Sequence, residues 1–96
     1  MRSSSLSQGS ESFIEALKVG CIVEVVNVKD LNEELSKTDN QDLTVAFEFL
    51  RQGSYNHYWA FDNMLKKQGI SDGCCVLGER FCKTPDEFPA NNNANY

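Results

Sequence analysis

Basic residues are scarce in this chain, and so are long apolar runs. Lysine and arginine number 9 against 14 aspartates and glutamates, which gives a net charge of −5. Nucleic acids and anionic membranes both attract a basic surface, so we expect neither to be a partner. No run of about 18 apolar residues occurs, and the sequence therefore predicts no transmembrane helix.

Familiar catalytic and targeting motifs are also missing. The sequence contains no G-x-S-x-G, no glycine-rich phosphate loop and no H-E-x-x-H, so enzymes built on those motifs are not predicted. The N-terminal stretch MRSSSLSQGSES lacks the apolar segment of a signal peptide. Residues 1–10 are polar and rich in serine, and we expect them to be disordered.

Four cysteines are distributed unevenly along the chain. Cys21 stands alone in an apolar segment, and we expect it to pack as a small hydrophobic side chain. The spacing of Cys74, Cys75 and Cys82 does not fit a zinc site, so we predict one local disulfide that joins Cys82 to either Cys74 or Cys75. Such a bond would indicate an oxidising compartment, which the lack of a visible signal peptide does not support.

The first long periodic segment predicts a helix over residues 12–36. Ser12 is a good N-cap, and Glu15 completes the capping-box pattern. Residues 22–28, IVEVVNV, are rich in β-branched side chains and could instead form a buried strand. We favour the helix because the helical spacing continues on both sides of this run. The inward stripe consists of Ile14, Leu17, Cys21, Glu24, Val28, Leu31 and Leu35.

A second periodic segment predicts a helix over residues 41–68. The last three residues of the linker 37–40 are N-cap candidates, and Gly69 stands where a C′ glycine ends a helix. Gly53 lies inside this helix, where glycine costs about 1 kcal/mol relative to alanine, and a close approach between helices would explain it. The inward stripe consists of Leu43, Phe47, Leu50, Ser54, His57, Phe61 and Met64.

Two long helices joined by a short linker predict an all-α fold, an antiparallel helical hairpin over residues 11–70. Residues 71–96 would form an irregular, cysteine-containing tail that is disordered from residue 88 onward. Residues 19–28 are apolar nearly all the way round, so the first helix should be covered on more than one side. So small a core rarely contributes more than about 3–5 kcal/mol. We therefore expect a larger bundle, completed by a second copy or by a further helix pair.

Two ionisable residues interrupt the inward stripes at matching depth. Counted outward from the linker, Glu24 lies level with Ser54, and His57 lies one turn further along. A carboxylate in so apolar a segment is costly to bury unless it is paired, protonated or bound to a metal. Carboxylates and imidazoles that project inward from facing helices hold metals in helical bundles. We therefore predict Glu24 and His57 as metal ligands, with Asn27 and Ser54 as supporting neighbours.

Two segments of the sequence resemble a known family. Residues 16–31, ALKVGCIVEVVNVKDL, resemble the third-helix pattern A-x-x-V-G-A-x-I-E-E-x-D-I-x-D-L. Residues 50–61, LRQGSYNHYWAF, resemble the fourth-helix pattern G-S-x-N-H-x-x-A-F. Both patterns are those of the ferritin-like family known as domain of unknown function 2202, whose members look like compact four-helix bundles. The resemblance covers residues 14–70 and implies the C-terminal half of such a bundle.

The resemblance also implies which residues bind the metal. Glu24 matches the first glutamate of the third helix, and His57 matches the histidine of the G-S-x-N-H motif. Ser54 stands where ferritin-like di-iron proteins have the glutamate of E-x-x-H. Val25 and Asn27 replace a second glutamate and an aspartate. These departures leave two implied ligands per chain for iron or manganese.

Three functional hypotheses follow. The first is a ferritin-like metal-binding protein, which would require a homodimer or a missing N-terminal helix pair. The second is a metal-free structural or protein-interaction bundle, in which Glu24 and His57 form an ion pair or a hydrogen-bonded core. The third is a truncated family member without independent function. The resemblance favours the first hypothesis, and the sequence does not decide whether the protein is an enzyme.

Overall fold

Two long helices joined by a tight linker form the body of the molecule. The computed structural model describes residues 5–90, with side chains from residue 11 onward. Helix α1 spans Ser5–Lys37 and helix α2 spans Gln41–Lys67, and two short 3₁₀ helices follow at Gly73–Leu77 and Glu79–Phe81. No strand occurs in residues 5–90, so the all-α prediction is confirmed and residues 22–28 are helical.

The two long helices run antiparallel, as the short linker predicts. Close to the linker, the Arg51 guanidinium donates a hydrogen bond to the Asn32 side chain at 2.6 Å. Farther from the linker, Gly20 of α1 faces the Phe61 ring of α2. Residues earlier in α1 therefore meet residues later in α2, which confirms the helical hairpin.

The ends of α2 match the local signals in the sequence. The Asn40 side chain accepts a hydrogen bond from the backbone N–H of Leu43 at 3.0 Å and caps the helix. At the other end Gly69 has a φ of +93°, and the Ile70 N–H donates to the Leu65 carbonyl at 3.0 Å. This is a Schellman ending, and it confirms the predicted C′ glycine.

Helix α1 begins earlier than predicted. It starts at Ser5, so Ser12 lies inside the helix and the predicted N-cap at that residue is wrong. Residues 5–10, which we expected to be disordered, form the first turns of α1, and residues 1–4 lie outside the described residues. The segment before Ser12 contains no proline, the residue that would have stopped the helix from extending toward the N-terminus.

Gly20 leaves room for an aromatic ring of the facing helix. A Cβ at this position would lie 2.7 Å from the Phe61 ring, so a larger residue would force this ring to shift. A Cβ at Gly53 would meet nothing within 4 Å. No close approach between α1 and α2 therefore occurs at Gly53, and an approach by a further helix stays a prediction.

Two disulfide bonds hold the tail. Cys21 of α1 is bonded to Cys74, and Cys75 is bonded to Cys82. Of the two local pairings that the sequence left open, the structure contains Cys75 with Cys82. The prediction that Cys21 serves only as a small hydrophobic side chain is wrong, because the tail folds back over α1 and brings Cys74 to it.

Buried polar groups fasten the tail to α2. The Asp62 carboxylate accepts a hydrogen bond from the Cys74 N–H at 2.8 Å. This contact needs Gly73, which has a φ of +59° and where any Cβ would collide with that carboxylate. The Trp59 indole donates to the Phe88 carbonyl at 2.6 Å. The tail therefore covers one side of the hairpin.

The hydrophobic core fills the space between the hairpin and the tail. Phe88 packs on the rings of Tyr55 and Tyr58, with centroids 5.0 Å apart in both pairs. The expected disorder from residue 88 is therefore wrong at Phe88, while residues 91–96 lie outside the described residues. The buried hydrophobic members are Leu17, Cys21, Val25, Val28, Tyr58, Leu65, Cys74 and Phe88.

The opposite side of the hairpin exposes large apolar side chains. Phe49 is 79% exposed and Val19 is 56% exposed. We call this side the open face and define it by Val19, Val23, Phe49, Leu50 and Met64. The apolar character of α1 predicts that this helix is covered on more than one side, and the tail covers one of those sides. Within the described residues, no helix combines the length and apolar character needed to cross a bilayer.

Candidate functional site

A cleft of about 760 Å³ lies between the helices on the open face. All four residues that the sequence singles out line it: Glu24 and Asn27 from α1, and Ser54 and His57 from α2. The structure therefore brings them into one interhelical space, as the count of depth from the linker predicts. The remaining lining residues are Asp30, Leu31, Phe49, Leu50 and Gly53.

Glu24 occupies an apolar part of α1. Its side chain is 10% exposed, and the buried residues Cys21, Val25 and Val28 adjoin it along the helix. The Oε1 atom of Glu24 is buried without a hydrogen-bond partner among the described residues. Leaving such an atom unpaired costs about 1–3 kcal/mol, and more when the group is charged. Buried polar atoms of this kind call for an explanation beyond packing.

His57 lies next to this carboxylate. Its Nδ1 atom is 3.6 Å from the Oε2 atom of Glu24, so the two form an ion pair only when the imidazole is protonated. This separation exceeds the usual N–H···O range of about 2.7–3.2 Å. The His57 side chain is 53% exposed, so the prediction that it is buried is wrong. It lies at the mouth of the cleft, on the side of the hairpin that the tail does not cover.

Ser54 and Asn27 complete the polar part of the cleft. Ser54 is buried, with 6% of its surface exposed, and lies one turn before His57 on α2. Asn27 is exposed and lies one turn after Glu24 on α1. A hydroxyl and an amide are neutral groups that can donate hydrogen bonds to a carboxylate, which only accepts them when it is ionised. They are suited to orient a ligand group and do not add charge.

One chain supplies few metal ligands. Within residues 11–90, no group of three or more histidine, cysteine, aspartate and glutamate side chains is arranged to hold a metal ion. Protein sites for transition metals use about four to six ligands. Glu24 and His57 of a single chain therefore do not complete a site, and further ligands would have to come from outside this hairpin.

Two buried polar side chains that position the tail were not found from the sequence. Asp62 is 3% exposed and lies 3.0 Å from the Lys66 ammonium, and Tyr58 is fully buried. Burial raises the pKa of the Tyr58 phenol above its ordinary 10.0, against the opposing effect of a hydrogen bond from the Lys83 N–H. Tyr58 and Asp62 are four residues apart on α2, so they lie on the same face of the helix, and this spacing is the signal in the sequence that could have found them.

Comparison with known proteins relates this chain to an archaeal protein and to a domain family that are both described as uncharacterized. A segment of 64 residues is 41% identical to the uncharacterized protein MJ0754 of Methanocaldococcus jannaschii. The segment makes up 67% of this chain and 35% of the archaeal protein, so the chain spans well under two thirds of its relative's length. No solved structure matches the chain. The model of the uncharacterized protein domain DUF2202 matches residues 2–81, and the chain therefore belongs to the DUF2202 family.

Proposed function

We propose that this protein binds a transition metal, iron or manganese, in a ferritin-like four-helix assembly of which the hairpin is one half. Glu24 and His57 are the ligands that each chain contributes. The observation that carries the proposal is the Oε1 atom of Glu24, which is buried without a hydrogen-bond partner among the described residues. A bound cation would satisfy this atom.

The placement of the two ligands supports this proposal. A buried carboxylate is stable only when it is paired, protonated or metal-bound. The His57 imidazole is near enough to share a cation with Glu24, at 3.6 Å between Nδ1 and Oε2, yet too far for a normal hydrogen bond. Carboxylate and imidazole together are ligands that iron and manganese accept.

The open face supports a partner hairpin. Phe49 is 79% exposed and Leu50 is 54% exposed, and both line the cleft that contains Glu24. A second hairpin packed on this face would bury these side chains and could bring two further ligands to the first two. A homodimer would thus provide two copies each of Glu24 and His57. In longer relatives, a helix pair of the same chain could fill this role, since the match covers 35% of the archaeal protein.

Native mass spectrometry of the full chain, expressed with added iron and manganese, tests the proposal. We expect a metal-loaded dimer, loss of the metal in Glu24→Gln, and no loss in Glu34→Gln, which changes an exposed carboxylate on the same helix. His57→Gln should also weaken metal binding. Metal-free wild-type protein, or equal metal content in the Glu24 and Glu34 variants, would overturn the proposal.

A metal-free structural or protein-interaction bundle is the second candidate, and the exposed Phe49 favours it. On this hypothesis the open face binds a partner and Glu24 has no ligand role. Glu24→Gln would then retain or raise the melting temperature, because a neutral amide costs less to bury than a carboxylate. If the protein binds a metal, Glu24→Gln would instead lose the stabilisation that added metal gives the wild type.

A further inference from the structure

A second cleft lies on the other side of α1, between that helix and the tail. Its volume is about 540 Å³. It shares no lining residue with the cleft around Glu24, so the two are separate features of the molecule. We call it the tail cleft. Its lining residues are Val25, Val28, Lys29, Asn32, Glu33, Ser36, Arg80, Lys83 and Phe88.

The tail cleft combines an apolar floor with a basic rim. Buried Val25, Val28 and Phe88 form the floor. Three of the 9 lysines and arginines of this acidic chain line the rim, together with a single carboxylate, Glu33. Because Glu33 lies 3.4 Å from the Lys29 ammonium, its charge is already balanced.

Arg80 and Lys83 supply the remaining positive charge. In the described part of the chain, neither is within ion-pair distance of a carboxylate. Instead, the Arg80 guanidinium lies 5.3 Å from the centroid of the Phe81 ring, and the Lys83 ammonium lies 5.8 Å from that of Phe88. Stacking of this kind holds a cation over an apolar surface and leaves its hydrogen-bond donors available.

Two hydrogen bonds and a disulfide hold the backbone that carries these two cations. The Tyr58 hydroxyl donates to the Phe81 carbonyl at 2.6 Å and accepts from the Lys83 N–H at 3.0 Å. Cys82, between the two cations, is bonded to Cys75. The positive rim is therefore preorganised, which lowers the entropic cost of binding a ligand.

We propose that the tail cleft binds an amphipathic organic anion, a carboxylate with a medium-length alkyl chain. The carboxylate would lie between Arg80 and Lys83, and the alkyl chain would lie on Val25, Val28 and Phe88. The volume falls within the range of about 300–1,000 Å³ of small-molecule sites. The apolar floor disfavours a purely inorganic anion, and the acidic surroundings disfavour nucleic acid. This site is independent of any metal at Glu24.

Isothermal titration calorimetry of the full chain with octanoate tests the proposal. Octylammonium has the same alkyl chain with the opposite charge, and acetate has the same head group without the chain. We expect octanoate to bind and both control ligands to bind at least about tenfold more weakly, since each lacks one half of the interaction. Equal binding of octanoate and octylammonium, equal binding of octanoate and acetate, or no binding of octanoate would overturn the proposal.

Paired variants locate the site. Arg80→Gln with Lys83→Gln should weaken octanoate binding about tenfold, from two charged contacts at a partly exposed rim. Lys18→Gln with Lys67→Gln removes the same net charge away from the lining residues of the cleft and should leave the affinity unchanged. Arg80→Lys with Lys83→Arg keeps both charges and should retain binding, and the circular dichroism spectrum of the first variant should match that of the wild type, which shows that its loss of binding is not due to misfolding. Equal weakening in the first two variants would refute the assignment.

Discussion

The disulfide between Cys21 and Cys74 should contribute more to stability than the one between Cys75 and Cys82. The first closes a loop with a sequence separation of 53 and the second one of 7. In the chain-entropy model, these loops correspond to about 4 and about 2 kcal/mol near 25 °C. The loops do not overlap, so the two effects should add to about 6 kcal/mol. A domain of this kind has roughly 5–15 kcal/mol in total.

Two double variants measure this difference, Cys21→Ala with Cys74→Ala and Cys75→Ala with Cys82→Ala. Urea unfolding followed by circular dichroism gives the free energy of unfolding of each. With a slope of about 1–3 kcal/mol per molar urea, the first variant should lower the midpoint by roughly 1–4 M. The second should lower it by about half as much. Cys21 and Cys74 are fully buried, so lost packing enlarges the first effect.

Reduction of the wild type provides the control for lost packing, because it breaks both bonds without removing a side chain. The reduced protein should lose about 6 kcal/mol relative to the oxidised protein. If the first variant lost no more stability than the second, the Cys21–Cys74 bond would not constrain the unfolded chain as argued. The tail would then be held mainly by its hydrogen bonds to α2.

Four further predictions concern single residues, each measured by urea or thermal unfolding. Gly53→Ala should stabilise the protein by about 1 kcal/mol, because the added methyl group meets open space within a helix. Gly20→Ala should instead destabilise it by about 1–3 kcal/mol, because the methyl group collides with Phe61, and equal responses would contradict the described helix contact. Asn40→Ala should cost about 1 kcal/mol through loss of the N-cap, and an unchanged stability would show that the side-chain cap contributes nothing. Because the pKa of Tyr58 is raised in the folded state, its neutral phenol contributes stability that is fully present below pH 10.0 and is lost as pH rises through the folded-state pKa. The free energy of unfolding of Tyr58→Phe should therefore fall less steeply with pH in the alkaline range than that of the wild type.

The sequence predicted the helices well because their periodicity and end signals are local. The spacing that places Leu17, Glu24 and Val28 on one stripe depends only on helix geometry, and all three are buried. The cap at Asn40 and the glycine ending at Gly69 are likewise set by a few neighbouring residues. The start of α1 was missed because a favourable cap sequence does not stop a helix that can extend further.

The tail and its contacts could not be derived in the same way. Cysteine spacing does not determine which cysteines pair, and the link from Cys21 to Cys74 depends on how the tail crosses α1. Periodicity also assigned His57 to an inward stripe but could not show how far it lies from the centre of the interface. Likewise, Gly20 and Gly53 are equivalent in sequence terms, and only the packing shows that Gly20 contacts the facing helix.

The bond between Cys21 and Cys74 makes the chain from residue 21 to residue 74 a covalently closed ring that includes the linker and all of α2. A protease that cuts within residues 38–40 would open this ring without releasing a fragment. The nicked protein would gain the mass of one water molecule and migrate as two pieces only after reduction. Its two helices would remain tethered close together, so the nicked molecule should still refold from denaturant as long as the bond is intact.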